Sequence, residues 1–175
     1  AVTDTPALQT EPAQTDNPPA TQTAETPAPS DGIPLVVTEG DMNAVMARLE
    51  QLKTLPSDKT IILLDVGHGG FDPGSIGLDT GVREDELNLQ VARFVAQKLG
   101  EKGYYVFMTR MASYAVAETK NEDMRLRKEF MKLDIFDAAI SIHMNSYPDD
   151  RSVDGTRLFY YKEGTKGQTL ATIIL

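Results

Sequence analysis

Apolar residues in this chain fall into short unbroken runs and into stripes of helical period. Ile61-Ile62-Leu63-Leu64 leads into Asp65-Val66, and Ala138-Ala139-Ile140-Ser141-Ile142 leads into a polar stretch. Runs of four to six β-prone residues predict buried strands of a parallel sheet. They are expected over 60–65, 104–109 and 138–142, with a further strand at 156–161 after the Asp154-Gly155 turn. Leu87, Val91, Phe94, Val95 and Leu99 share one face of a predicted helix over 84–102, which Gly103 closes as its C′ residue. Met124, Leu126, Phe130 and Met131 predict a helix over 121–132. Val45, Met46, Leu49 and Leu52 predict a shorter one, capped by Thr38 or Asp41 and ending before Leu55-Pro56-Ser57. Its stripe reads as core rather than partner site. Strands alternating with helices predict an α/β fold: three layers, a mostly parallel twisted sheet with helices on both faces.

The ends of the chain follow other rules. Residues 1–33 are rich in Thr, Pro, Ala and Gln, and hold six of the ten prolines. Such a segment has little to bury and reads as a disordered, extended linker. Residues 34–57 then form a short helical appendage, and 58–175 the principal domain. Gln168 to Leu175 looks like the opening of an amphipathic helix. It stops on Ile173-Ile174-Leu175, so a fragment lacking a further strand and helix is expected. The opening Ala1-Val2-Thr3-Asp4 fits an exported protein after cleavage, or a trimmed chain.

Charge and composition narrow the partners. The formal net charge is −9, which argues against nucleic acid. Seven acids fall in residues 1–46, which contain no Lys or Arg, so the remainder is close to neutral. With no cysteine, any metal must be held by His, Asp or Glu. No apolar run approaches the length of a transmembrane helix.

The chain has two histidines, and each directly follows a predicted strand: His68 after Val66-Gly67, His143 after Ile142. Ligands in open α/β sheets bind beyond the carboxyl ends of the strands. Two imidazoles there, with one carboxylate, would make a three-ligand zinc site with an open fourth position. The glycines in Gly67-His68-Gly69-Gly70 let the backbone turn sharply, and Asp72-Pro73-Gly74 is ordinary turn chemistry. Glu84, Asp85 and Glu86 share the first turn of a helix, where acids commonly answer the helix dipole. Spacing alone does not choose among the three.

Five separated blocks carry a resemblance. They are Leu64-Asp65-Val66-Gly67-His68-Gly69-Gly70-Phe71-Asp72-Pro73-Gly74, then Gly81-Val82-Arg83-Glu84-Asp85-Glu86-Leu87-Asn88-Leu89, then Thr109-Arg110, then Arg127, and finally Ser141-Ile142-His143-Met144-Asn145-Ser146 with Gly155. In order and spacing the chain resembles the zinc-dependent N-acetylmuramoyl-L-alanine amidases of the type 3 family, bacterial cell-wall hydrolases. The resemblance implies that His68, Glu84 and His143 bind zinc, singling out Glu84 from the three acids. It implies a six-stranded, mostly parallel sheet. It also implies peptidoglycan as substrate, cut at the amide between N-acetylmuramic acid and L-alanine. The Thr/Pro-rich tether suggests secretion, to the wall or periplasm, and a monomer is expected. Val66 stands where the family usually has proline. The family's catalytic glutamate lies on a late strand. Glu163, in Tyr161-Lys162-Glu163-Gly164-Thr165, does not match that context, so the general base is expected beyond Leu175.

Two other functions compete: a zinc-containing peptidoglycan-binding module without catalysis, and another zinc peptidase or deacetylase. A structural α/β domain with incidental histidines is the bland alternative. Arg110 and Arg127 read more readily as ion-pair anchors of the fold than as contacts to peptide carboxylates.

Overall fold

A computed structural model describes residues 35–36, 42–147, 149–150 and 152–175. The expected linker 1–33 and the caps Thr38 and Asp41 lie outside them. The element order is β1 (Leu35–Val36), α1 (Met42–Lys53), β2 (Ile61–Val66), α2 (Glu84–Glu101), β3 (Tyr105–Met108), α3 (Lys120–Phe130), β4 (Ala138–Ile142) and α4 (Lys166–Ile174). The four strands form one sheet in the order β1-β3-β2-β4, and every pair is parallel.

All six residues of β2 are buried, as a central strand covered on both faces requires. One face packs Leu49 and Leu52 of α1, Val116, and Phe130 of α3 against Ile61, Leu63 and Phe107. The other packs Ala92 and Ala96 of α2 against Ile62, Leu64, Val66, Val106 and Met108. Leu49 and Leu52, two residues of the stripe read from the α1 sequence, thus face the core, and the three layers are helix, sheet and helix.

Strand order reverses at β2. The chain leaves β2 for β3 by way of α2 on one face, then returns past β2 to β4 by way of α3 on the other. The carboxyl ends of β2 and β4 therefore lie side by side where the connections diverge, the place an open α/β sheet offers to ligands.

One expected strand does not form. Residues 156–161 have no ladder partner among the described residues, and Phe159 and Tyr161 are exposed. Their β-prone composition has nothing to act on, because β propensity expresses packing against neighbouring strands. The turn before them does form, with Gly155 at positive φ.

Candidate metal centre

Both histidines sit where the strand ends predict. Val66 and Ile142 are register partners, and the Gly67 N–H extends the pairing to the Ile142 carbonyl at 3.1 Å. One residue on, the chain turns away. His68 adopts φ 59°, a left-handed conformation that costs a non-glycine residue energy and is usual at functional sites. Beyond His143, Asn145 does the same at φ 50°. The two imidazoles meet edge to face, with centroids 4.8 Å apart.

Two glycines make room for them. A Cβ at Gly67 would stand 2.4 Å from His143 Cε1, so only glycine lets that ring lie across the end of β2. A Cβ at Gly74 would meet His68 and Glu84 at 2.7–2.9 Å, and the backbone there is left-handed.

Helix α2 brings the carboxylate. Glu84 is its first residue, where the dipole favours an anion. Its backbone N–H donates to the Ser75 carbonyl at 2.8 Å, and Oε2 accepts from the Ser75 N–H at 2.9 Å. Oε1 accepts from the Met144 N–H at 3.1 Å. Burial works against the charge on Glu84, but the N–H groups of Ser75 and Met144, with His68 and His143 close by, bring its carboxyl down to about 2. The three acids left open by spacing part ways here. Asp85 is buried but turned to Arg83, whose Nε and Nη2 donate to it at 2.8 and 3.1 Å. Glu86 is exposed.

Glu84 Oε1 stands 3.3 Å from His68 Nε2 and 3.1 Å from His143 Nδ1. Donor atoms of all three residues lie within 4.8 Å of one another. Ligands about 2.0–2.1 Å from a tetrahedral ion stand about 3.3 Å apart, so the two Glu84–imidazole separations suit a metal ion.

An outer layer fixes the inner one. Asp72 Oδ2 lies 3.0 Å from His68 Nδ1 and 3.2 Å from Lys120 Nζ, while Oδ1 accepts from the Gly74 N–H. A proton held on Nδ1 leaves Nε2 free for an ion. Burial opposes the charge on Asp72, yet His68, the Gly74 N–H and Lys120 bring its carboxyl down to about 2. Sequence reading treated Asp72 as turn chemistry and missed Lys120. The four-residue step from His68 to Asp72 was the available signal; Lys120 had none.

Arg127 is an ion-pair anchor of the fold, whereas Arg110 anchors it through carbonyls alone among the described residues. Arg110 is fully buried and donates to the carbonyls of Val66 (3.1 Å), Gly67 (2.9 Å), Asp85 (2.7 Å) and Ala112 (2.9 Å). Burial, with Arg127 nearby, lowers it to about 10, still charged at neutral pH. Arg127 donates to Asp65 (2.7 Å), to the Val66 and His68 carbonyls (2.7 and 2.9 Å) and to Asp123. Neither guanidinium lines the cavity beside the histidines.

That cavity, about 380 Å³, is lined by His68, Asp72, Gly74, Ser75, Glu84, Lys120, Asn145 and Ser146. Its only acids among the described residues are Asp72 and Glu84. Glu163 is exposed in a turn elsewhere.

The three residues at the strand-order reversal of this α/β sheet could together hold a metal ion. The family model for N-acetylmuramoyl-L-alanine amidase matches residues 62–175, and the chain belongs to that family. It is 33% identical over 129 residues to the germination-specific N-acetylmuramoyl-L-alanine amidase of Bacillus subtilis (strain 168), covering 69% of this chain and 53% of that protein. It is 36% identical over 118 residues to N-acetylmuramoyl-L-alanine amidase AmiC of Neisseria meningitidis serogroup B, covering 63% and 24%. Among solved structures it is similar to an N-acetylmuramoyl-L-alanine amidase from Clostridium difficile 630, with TM-score 0.57, 27% identity and 66% and 60% coverage. AmiC2 of Nostoc punctiforme gives TM-score 0.54, 28% identity and 68% and 61% coverage. The chain thus spans about half the length of the germination-specific relative.

Proposed function

We propose that this chain carries the zinc site of an amidase that hydrolyses the amide between N-acetylmuramic acid and L-alanine in peptidoglycan. The observation that carries this reading is the meeting of His68, Glu84 and His143 at the strand-order reversal of a fold whose family model bears that activity. Two imidazoles and one carboxylate, with no thiolate, suit a catalytic zinc with an open position. Zinc bound there would polarise the scissile carbonyl and lower the pKa of water to about 7.

The chain's own residues hold and orient. Glu84 and the two histidines supply the donors, and Asp72 keeps the His68 proton on Nδ1. Glu84 also ties the loop after β4 to the loop before α2 through the N–H groups of Met144 and Ser75. Hydrolysis needs a carboxylate to take a proton from water and deliver it to the leaving amine. Asp72 is engaged by His68, Lys120 and Gly74, and Glu84 by both histidines, so neither is free for that task. Among the described residues that line the cavity, no carboxylate is left to serve as the general base. A location facing the cell wall, in the periplasm or outside the cell, follows from the substrate. Among the described residues no helix is long and apolar enough to cross a membrane.

The test is zinc stoichiometry and product analysis on purified peptidoglycan, with this chain and with any longer gene product that contains it. The expected product pair is a free lactyl carboxyl and a new L-alanine amine. His68→Ala, Glu84→Ala and His143→Ala should each abolish stoichiometric zinc, while Asp85→Ala should keep it. An internal peptide cut or released acetate would overturn the substrate. Zinc binding without cleavage in either form would make the protein a binding module.

A further inference from the structure

The metal centre is flanked by two spaces of opposite chemistry. The polar cavity already described contains Lys120, the one cation lining either space among the described residues. Glu84 also lines a groove of about 550 Å³. Its apolar walls are Ile76, Leu78, Val82, Leu87, Met144 and Tyr147. All six are exposed, Leu78 to 85% and Tyr147 to 57%. Single exposed apolar side chains are ordinary, but six converging on one groove mark a binding surface.

The two spaces share walls. Ser75, Glu84, Asn145 and Ser146 line both, and a hydroxyl pair, Ser75 Oγ to Ser146 Oγ at 3.1 Å, crosses the boundary. One ligand whose reacting bond lies at Glu84 would therefore reach into both. The amide assigned above has matching asymmetry, and this inference rests on that assignment. On one side is a stem peptide bearing carboxylates. On the other is an uncharged muramoyl unit, with lactyl and N-acetyl methyl groups and the C–H faces of a pyranose.

We propose that the apolar groove is the muramoyl subsite, with Leu78 and Tyr147 as its specificity-determining residues, and that Lys120 receives the stem-peptide carboxylate. Charge complementarity fixes the direction. A carboxylate placed in the groove would lose its hydration among aliphatic walls with no cation to meet it. In the cavity it meets the Lys120 ammonium, which it would share with Asp72 at 3.2 Å. The muramoyl methyls and sugar face gain by displacing water from Leu78 and Tyr147.

The test is binding by the zinc-loaded chain, read by calorimetry. Two probes are used: N-acetylmuramoyl methylamide, which is uncharged, and the dipeptide L-alanyl-D-glutamate acetylated at its amine. Leu78→Ser and Tyr147→Ala touch little packed core, so folding should persist. Each should weaken the muramoyl probe about tenfold and leave the dipeptide unchanged. Lys120→Gln should weaken the dipeptide and spare the muramoyl probe. The opposite pattern, or equal loss of both probes, would overturn the subsite assignment. So would a zinc-loaded parent that binds neither probe. A parent that takes up no zinc would instead sink the metal reading on which this rests.

Discussion

Strands β2 and β4 lie side by side and each delivers one histidine, yet the fold holds the two deliveries differently. Every residue of β2 is buried, and its exit turn is clamped by Arg110 and Arg127, which between them take the carbonyls of Val66, Gly67 and His68. Strand β4 alternates between half-buried and exposed positions. Its exit loop is held at Met144 and Asn145 by Oε1 of Glu84, itself one of the three candidate ligands. The scaffold fixes His68, while the site's own carboxylate fixes the loop carrying His143. One half of the centre is set by the fold before any ion arrives. The other half is set by the centre itself.

The strongest way to break this comparison is to remove the clamp on β2. Arg127→Met would leave the Asp65 and Asp123 carboxylates buried without their cation. Breaking a buried pair by deleting one partner costs about 3–5 kcal/mol. Urea unfolding should show that loss, with the slope unchanged. A loss below about 1 kcal/mol would mean that the β2 turn does not depend on its guanidinium.

Next comes the residue where the two halves touch. In Gly67→Ala the new methyl would enter the space of the His143 ring, and the ring stands on the less firmly held strand. The ring should yield rather than β2. Overpacking of this kind costs about 1–3 kcal/mol, or about a 10- to 100-fold loss of zinc affinity if it falls on the site. Competition with a chelator measures it. A drop in unfolding stability with zinc affinity unchanged would show that β2 yields instead.

The third change acts on His68 alone. Asp72→Ala removes the acceptor at Nδ1 and frees Lys120. Outer carboxylates of this kind are worth about 10–100-fold in metal affinity. Because the backbone of His68 is clamped independently, the fold should stand while zinc weakens. Asp72→Asn keeps an acceptor and should recover part of the affinity. Equal loss in both variants would count against the orienting role.

The same contrast explains what the sequence made legible. The burial of β2 and the parallel class could be read because each is a local pattern that the fold repeats, but the stripe of α2 was misplaced: Leu87, Val91 and Phe94 are exposed, and Ala92 and Ala96 face the sheet. So could the placing of His68 and His143, because strand ends are where an α/β sheet exposes chemistry. The choice of Glu84 over Asp85 was not in the spacing. It depends on Arg83 drawing Asp85 aside and on the Ser75 and Met144 N–H groups drawing Glu84 in. Asp72 and Lys120 meet across 48 positions, which no periodicity encodes. Residues 156–161 failed for the converse reason, since their pattern was right but no described residue stands beside them as a ladder partner. Local chemistry was visible, whereas pairings set by the tertiary fold were not.

The smallest expected effect falls on β4 and closes the comparison. Ser141 Oγ donates to Asp65 Oδ2 at 2.7 Å, a side-chain link between the two strands in addition to their ladder. Hydrogen bonds to charged groups contribute about 1.5–3 kcal/mol when buried. Ser141 is exposed, so water can replace its hydroxyl, and Asp65 keeps Arg127 and Thr109 on its other oxygen. Ser141→Ala should therefore cost about 1 kcal/mol in urea unfolding and leave zinc affinity unchanged. That gap between Ser141→Ala and Arg127→Met, both acting on Asp65, measures how unevenly the two strands are held. Equal losses would mean that β4 is as firmly built into the scaffold as β2, and the division of the metal centre into a fixed and a dependent half would fall.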